Sequence, residues 1–195
     1  DIYRMPVLIL ADGMIGQMME AVEIKEPNKI DLPEKDWATV GTKGKRKPNI
    51  INSLYLDSEK LEQHNANLQK KYNKIEATEV QYEAFGLEDA EVVCVAYGTT
   101  SRIVKNAIKH CNDNGIKVGM IRPITLWPYP YDVFKSINPK AKGILTVEMS
   151  AGQMIDDVRI AIEGRLPIYF NGRCGGMIPT PASIVEDIKK IAGGK

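Results

Sequence analysis

From Asp89 onward the chain alternates apolar, β-rich runs with amphipathic helical runs, and only short turns separate them. This alternation limits the fold more than any other feature, because strands joined through helices must cross over and lie parallel. "AEVVCVAYG" is the first run and ends in glycine; "TTSRIVKNAIKHCNDNG" follows as a helix. In that helix Val104, Ala107, Ile108 and Cys111 form one apolar stripe, and Asn114-Gly115 supplies a helix stop. "IKVGMIR" is the second strand, and the proline-rich turn "PITLWPYP" leads into a short helix around "YDVFKSI". "GILTVEM" and its helix "AGQMIDDVRIAIEG" come next, then the strand "LPIYF" and the helix "TPASIVEDIKKIAG". Thr180 caps that last helix, with Pro181 at its first position. Four strands alternating with four helices predict an α/β fold over residues 89–195: a three-layer sandwich with a mostly parallel sheet.

The chain before Asp89 reads differently. Leu61, Asn65, Leu68, Tyr72 and Ile75 recur at alternating four- and three-residue spacing, which predicts an amphipathic helical arm over 57–88 starting at an Asp57-Ser58 cap. Residues 25–56 are rich in proline, lysine and asparagine without sustained periodicity, the composition of a linker. Their basic cluster, Lys43, Lys45, Arg46 and Lys47, has two readings, a phosphate contact and a solvated charge run, the latter being commoner. Residues 1–24 hold a continuous apolar run, Met5 to Ala11, and after the Asp12-Gly13 turn Met14, Met18 and Val22 at helical spacing. One strand and one helix cannot bury themselves, so this N-terminal strand–helix remnant is expected to be the tail of an upstream domain.

The formal net charge of +1 gives no case for nucleic acid or an anionic membrane surface. No apolar run approaches the roughly 18 residues of a membrane span. The three cysteines, Cys94, Cys111 and Cys174, lie far apart without a CxxC pair. That spacing fits a reducing, cytoplasmic setting and leaves no zinc or iron–sulfur site built from this chain alone.

In parallel α/β sheets ligands gather at the carboxyl ends of the strands. Four turns fall there. The first places Thr99, Thr100 and Ser101 at a helix start, where helix capping and anion binding are both open; it lacks the G-x-G-x-x-G fingerprint and the GK[ST] ending of a Walker loop. The second carries Arg122 and Trp127 among prolines, able to stack a planar ligand or to bury against a neighbour. The third follows Glu148 and includes Gly152 and Gln153, a lone carboxylate without a second acid or base. The fourth, "NGRCGGMIPTP", offers Arg173, Cys174, Gly175 and Gly176. His64 and His110 are off the strand ends, and Cys94 and Cys111 lie on core stripes, so no catalytic residue is assigned. Cys174 is the one cysteine with access, and Arg173 beside it favours a thiolate.

The stretches "RMPVLILADGMIGQMMEAVEI", "VAYGTTSRIVKNAI", "KVGMIRPITLWPYP", "VEMSAGQMIDDVRIAIEGR" and "NGRCGGMIPTP" together resemble the C-terminal part of the α subunit of 2-oxoacid:ferredoxin oxidoreductases, the branched-chain (2-oxoisovalerate) type most of all. The resemblance runs in order over nearly the whole chain and is weakest in 25–56. It implies an upstream pyrimidine-binding domain followed by a transketolase C-terminal-like domain at 89–195. In such enzymes thiamine diphosphate decarboxylates a 2-oxoacid, iron–sulfur clusters pass electrons to ferredoxin, and coenzyme A takes the acyl group. The resemblance further implies that the β subunit holds the diphosphate and magnesium, and that clusters sit in β or in small ferredoxin-like or γ subunits. None of these cofactors is then bound by this chain alone. The four turns become candidate interface loops, or loops touching coenzyme A or another anion. Two other readings stand beside this one: a free nucleotide- or anion-binding domain using Thr99–Ser101 and residues 172–176, and a structural module pairing through the 57–76 helix.

Overall fold

The computed structural model describes residues 1–175 and 177–193. Ala11–Met18 and the chain from Ile75 onward form one compact unit; Asp1–Leu10 and Met19–Lys74 form another.

The larger unit is built on a five-stranded sheet in the order β1-β3-β2-β4-β5, with β1 at Tyr82–Phe85, β2 at Val92–Val95, β3 at Val118–Pro123, β4 at Gly143–Glu148 and β5 at Ile168–Gly172. β3, β2, β4 and β5 run parallel, and β1 joins β3 antiparallel with Tyr82 opposite Pro123. Helices α2 (Gly98–Asp113) and α4 (Pro181–Gly193) pack together on one face, and α3 (Met154–Ile162) packs with the 3-10 helix Tyr131–Ser136 on the other. Side chains alternate accordingly. Val92, Cys94 and Ala96 meet Val104, Ile108, Cys111, Ile184 and Ile188, while Val93 and Val95 meet Ile121, Phe134, Met154 and Val158. The fold is the expected three-layer α/β sandwich with a mostly parallel sheet.

The helix ends follow local chemistry. Gly115, at φ +85, closes α2: its N–H reaches the Asn112 carbonyl and the Ile116 N–H the Cys111 carbonyl, a Schellman pattern. Thr180 Oγ1 accepts from the Ser183 N–H and caps α4.

Three expectations need correction. The sheet has five strands because 82–85, read as part of the arm, pairs along β3. The N-terminal strand–helix remnant is neither strand nor helix: Val7, Leu8 and Ile9 are 83%, 80% and 88% exposed, and only an isolated helical turn forms, where the Met18 N–H reaches the Met14 carbonyl. A buried strand needs a neighbour to fill its hydrogen-bonding edges, and among the described residues no strand pairs with it. The arm is the helix α1, Ser58–Thr78, with Asp57 Oδ1 accepting from the Glu59 and Lys60 amides. Its seam is graded rather than continuous: Leu61 is 39% exposed and Ile75 is buried.

In the smaller unit the linker is pinned rather than free. The Arg46 guanidinium donates to the carbonyls of Ala38, Gly41 and Lys47, and the Arg4 guanidinium lies 4.6 Å above the Trp37 ring. Arg46 is thus spent on the loop itself.

Candidate functional site

The carboxyl ends of β2, β4 and β5 form the edge to which the sequence motifs point. Glu148, at the end of β4, is 1% exposed. Its Oε2 accepts from the Ser150 hydroxyl (2.9 Å) and the amides of Gln153 (3.2 Å) and Met154 (3.0 Å). Its Oε1 accepts from the Ile155 amide (2.9 Å). The carboxylate therefore closes the first turn of α3, answering free amides with a negative charge at the positive end of the helix. The cap residue by position, Gln153, makes no side-chain cap bond. Sequence reasoning took Glu148 as a lone acid; the clue it missed was the glycine- and serine-bearing turn that lets the chain fold back over it.

The loops after β4 and β5 are bound to each other. The Arg173 N–H donates to the Glu148 carbonyl at 3.0 Å. The Phe170 ring lies where a Cβ on Gly172 would sit, so a side chain there would have to displace the ring, and 3.3 Å from one on Gly152, where the positive φ itself favours glycine. Gly152 (φ +110) and Gly175 (φ +103) hold left-handed backbone. Arg173 is half-buried with its guanidinium by the Gly172 carbonyl, and Cys174 is exposed. Gly176, part of the same expectation, lies outside the described residues.

The β2 end is arranged differently. Thr99, Thr100 and Ser101 are buried in the first turn of α2. The cap position of this helix, Tyr97, makes no side-chain cap bond. Ser101 donates back to the Gly98 carbonyl at 2.7 Å. The Thr99 hydroxyl is buried without a full hydrogen bond. Asp12 approaches it, a carboxylate held below its ordinary value chiefly by the Ile15 N–H. Burial, and then the charge of Glu148, push the Tyr97 hydroxyl up.

The β3 end stands apart from this group. Arg122 pairs with Glu83 of β1 at 2.8 Å, so its charge is committed to the sheet. Trp127, 49% exposed, precedes a cis peptide bond to Pro128. Tyr129 beyond it is buried; burial, reinforced by Asp157, raises its phenol far above the ordinary value. Tyr131 donates to Asp157 at 2.8 Å. The structure thus joins Glu148, Gly152, Gln153 and Arg173 through the β4 and β5 loops and ties Arg122 elsewhere. No three His, Cys, Asp or Glu side chains converge to hold a metal among the described residues. No described helix is long and apolar enough to cross a membrane.

Residues 90–184 match the family described as pyruvate:ferredoxin oxidoreductase core domain II. Over that span the chain is similar to that family. That match is part of a longer likeness: the chain is 40% identical over 193 residues to the ketoisovalerate oxidoreductase subunit VorB of Methanothermobacter marburgensis, covering 99% of this chain and 54% of that subunit. It is 29% identical over 204 residues to the 2-oxoglutarate synthase subunit KorA of Methanocaldococcus jannaschii, covering 93% of this chain and 55% of that subunit. The chain spans about half the length of these curated relatives. In fold it is similar to a 2-oxoglutarate:ferredoxin oxidoreductase from Magnetococcus marinus, with a TM-score of 0.61 at 23% identity over 71% of this chain and 24% of that one.

Proposed function

We propose that this chain is the C-terminal part of the α subunit of a 2-oxoacid:ferredoxin oxidoreductase, and that it serves assembly and active-site shaping rather than bond-making. The observation that carries this reading is Glu148. It is an acid at the carboxyl edge that is 1% exposed and accepts from α3 amides on both oxygens, so it is held inside the turn as a helix cap rather than presented to a reacting group as a general base. The reaction of the whole enzyme is oxidative decarboxylation of a 2-oxoacid to its acyl-coenzyme A. A branched-chain 2-oxoacid is favoured by the higher identity to the ketoisovalerate subunit than to the 2-oxoglutarate subunit. Thiamine diphosphate with its magnesium belongs, in this proposal, to a β subunit, and iron–sulfur clusters to β or to ferredoxin-like or γ subunits that reduce ferredoxin in the cytoplasm. Residues 1–24 are the end of the preceding pyrimidine-binding domain; the bare apolar side chains of Val7 to Leu10 support this. The loops at Thr99–Ser101, Trp127, Glu148–Gln153 and Arg173–Gly175 face a partner subunit or that domain.

The test is thermal unfolding of the chain against thiamine diphosphate with magnesium, coenzyme A, NAD and ATP. A ligand at about a hundred times its Kd stabilises by roughly 2.7 kcal/mol, a readily measured shift. No shift is expected with any of them. A shift with NAD or ATP overturns the proposal in favour of a free nucleotide-binding domain. In the assembled enzyme, Arg173→Ala separates the two roles of its loop: weakened assembly is expected, and intact assembly with a raised KM for coenzyme A defeats the interface role.

A further inference from the structure

β5 is an edge strand whose outer side is unguarded. The Ile144 N–H donates to the Pro167 carbonyl and the Arg173 N–H to the Glu148 carbonyl, so residues 167, 169, 171 and 173 direct their backbone groups at β4. By the alternation of a strand, Ile168, Phe170 and Gly172 turn theirs outward. Native edges are usually blunted by charge, proline or a bulge. The opposite edge follows that rule, since Glu83 on β1 is paired with Lys105 and Arg122. The segment Ile168–Gly172 carries no charge and no proline. It presents two large rings instead, Tyr169 at 43% and Phe170 at 42% exposure. Both are seated on glycine: Tyr169 over Gly143, where a Cβ would meet its Cε2 at 2.6 Å, and Phe170 over Gly152 and Gly172. Aromatic rings with almost half their surface open at a strand edge are suited to anchor an interface.

We propose that β5 pairs antiparallel with β5 of a second copy of this chain, across a two-fold axis at Phe170. The choice of occupant comes from self-complementarity. Antiparallel pairing puts outward residues opposite outward residues. The register that uses all three has Phe170 facing its own copy and Ile168 facing Gly172. That register sets Arg173 against Pro167 and Arg165 against Gly175, so no like charges meet. The two Phe170 rings become a cross-strand aromatic pair, among the favourable pairs of antiparallel sheets. A C2 contact of this kind closes on itself, whereas pairing with β1 would propagate into a filament.

The test is sedimentation of the chain from submicromolar to submillimolar concentration, together with oxidative cross-linking of Phe170→Cys in a Cys174→Ser background. A concentration-dependent dimer is expected, and so is a covalent dimer at position 170, since hydrogen-bonded antiparallel partners stand about 5.5 Å apart, within disulfide reach. Tyr169→Cys, whose partner would be Asn171, is expected to cross-link far less. Phe170→Arg, with an unchanged far-ultraviolet spectrum, is expected to sediment as a monomer. A wild-type chain that stays monomeric throughout overturns the proposal, whether or not the variants fold. So does a dimer that cross-links equally at 169 and 170. Amide protection of β5 that appears only when another subunit is added assigns the edge to that subunit and equally overturns pairing with a second copy.

Discussion

The Glu148 carboxylate accepts from the backbone N–H of Ile155, seven residues further along the chain, at 2.9 Å. With the three donors on its other oxygen it holds the β4–α3 turn shut, so removal of this one side chain strips several buried amides of their acceptor. Leaving a buried donor unpaired costs about 1–3 kcal/mol, and losing a cap costs a comparable amount. Glu148→Ala is expected to lower unfolding stability by about 3–4 kcal/mol. Glu148→Gln, which keeps one oxygen and the shape, is expected to lose about half as much. Urea unfolding midpoints check both; equal effects would mean that shape, not acceptor capacity, sets the cost.

Two glycines of the sheet separate rigid from yielding neighbours. A Cβ on Gly119 of β3 would overlap the Gly86 carbonyl oxygen, a backbone atom, and lie 3.1 Å from the Phe85 carbonyl. A Cβ on Gly143 would meet the tip of the Tyr169 ring, which is at the surface and can swing away, and would lie 3.1 Å from the Pro167 carbonyl oxygen, the one backbone atom among its three nearest contacts. Gly119→Ala is expected to cost about 2–3 kcal/mol and Gly143→Ala about 1 kcal/mol. Hydrogen exchange checks the mechanism: Gly119→Ala loosens the amides of Tyr82–Phe85 first, because the chain after β1 is what must move.

The difference between what the sequence announces and what it conceals follows from range. β2, α2, β4, α3 and α4 are legible because each buries a face against the same sheet, so periods of two and 3.6 are written into consecutive residues. β1 is not, because all four of its side chains are exposed and only its register with β3 makes it a strand. The apolar run at Val7–Leu10 misleads in the opposite direction: it has the composition of a buried strand without a strand to pair with. At the candidate site the glycine turns are visible, but the work of Glu148 is not, since it depends on donors five to seven residues away. Arg46 is hidden for the same reason, its three acceptors being carbonyls that any residue supplies.

Acid and base act on separate contacts. Lys105, and then Arg122, hold the Glu83 carboxyl below its ordinary value of 4.5. A carboxyl with a lowered folded value contributes stability that is complete above 4.5 and is lost as pH falls through that lower value. Tyr131 behaves in the opposite sense: burial, and then its bond to Asp157, push the phenol from 10.0 up to about 12. Its contribution is complete below pH 10.0 and is lost as pH rises towards 12. Glu83→Gln is expected to flatten the acid limb of a stability profile, and Asp157→Asn to bring the Tyr131 absorbance titration down towards 10.0. An unmoved titration in Asp157→Asn would leave burial as the whole cause.

The three cysteines are expected to react on two time scales. Cys94 and Cys111 are fully buried, and burial raises both thiols above their ordinary value, so little thiolate exists and reagent cannot reach it. Cys174 lies exposed in the loop after β5. With an aromatic disulfide reagent at neutral pH, one thiol should react promptly in the folded chain and the other two only as fast as the domain opens. Because Cys94 and Cys111 share one core layer with Ile184 and Ile188, their exposure requires separating α2 and α4 from the sheet, and the slow phase should track global unfolding across a urea series. Cys174→Ser should remove the prompt phase and leave the slow one unchanged. A prompt phase that survives this substitution would show that the α2–α4 face opens locally, and the layered packing described for it would have to be revised.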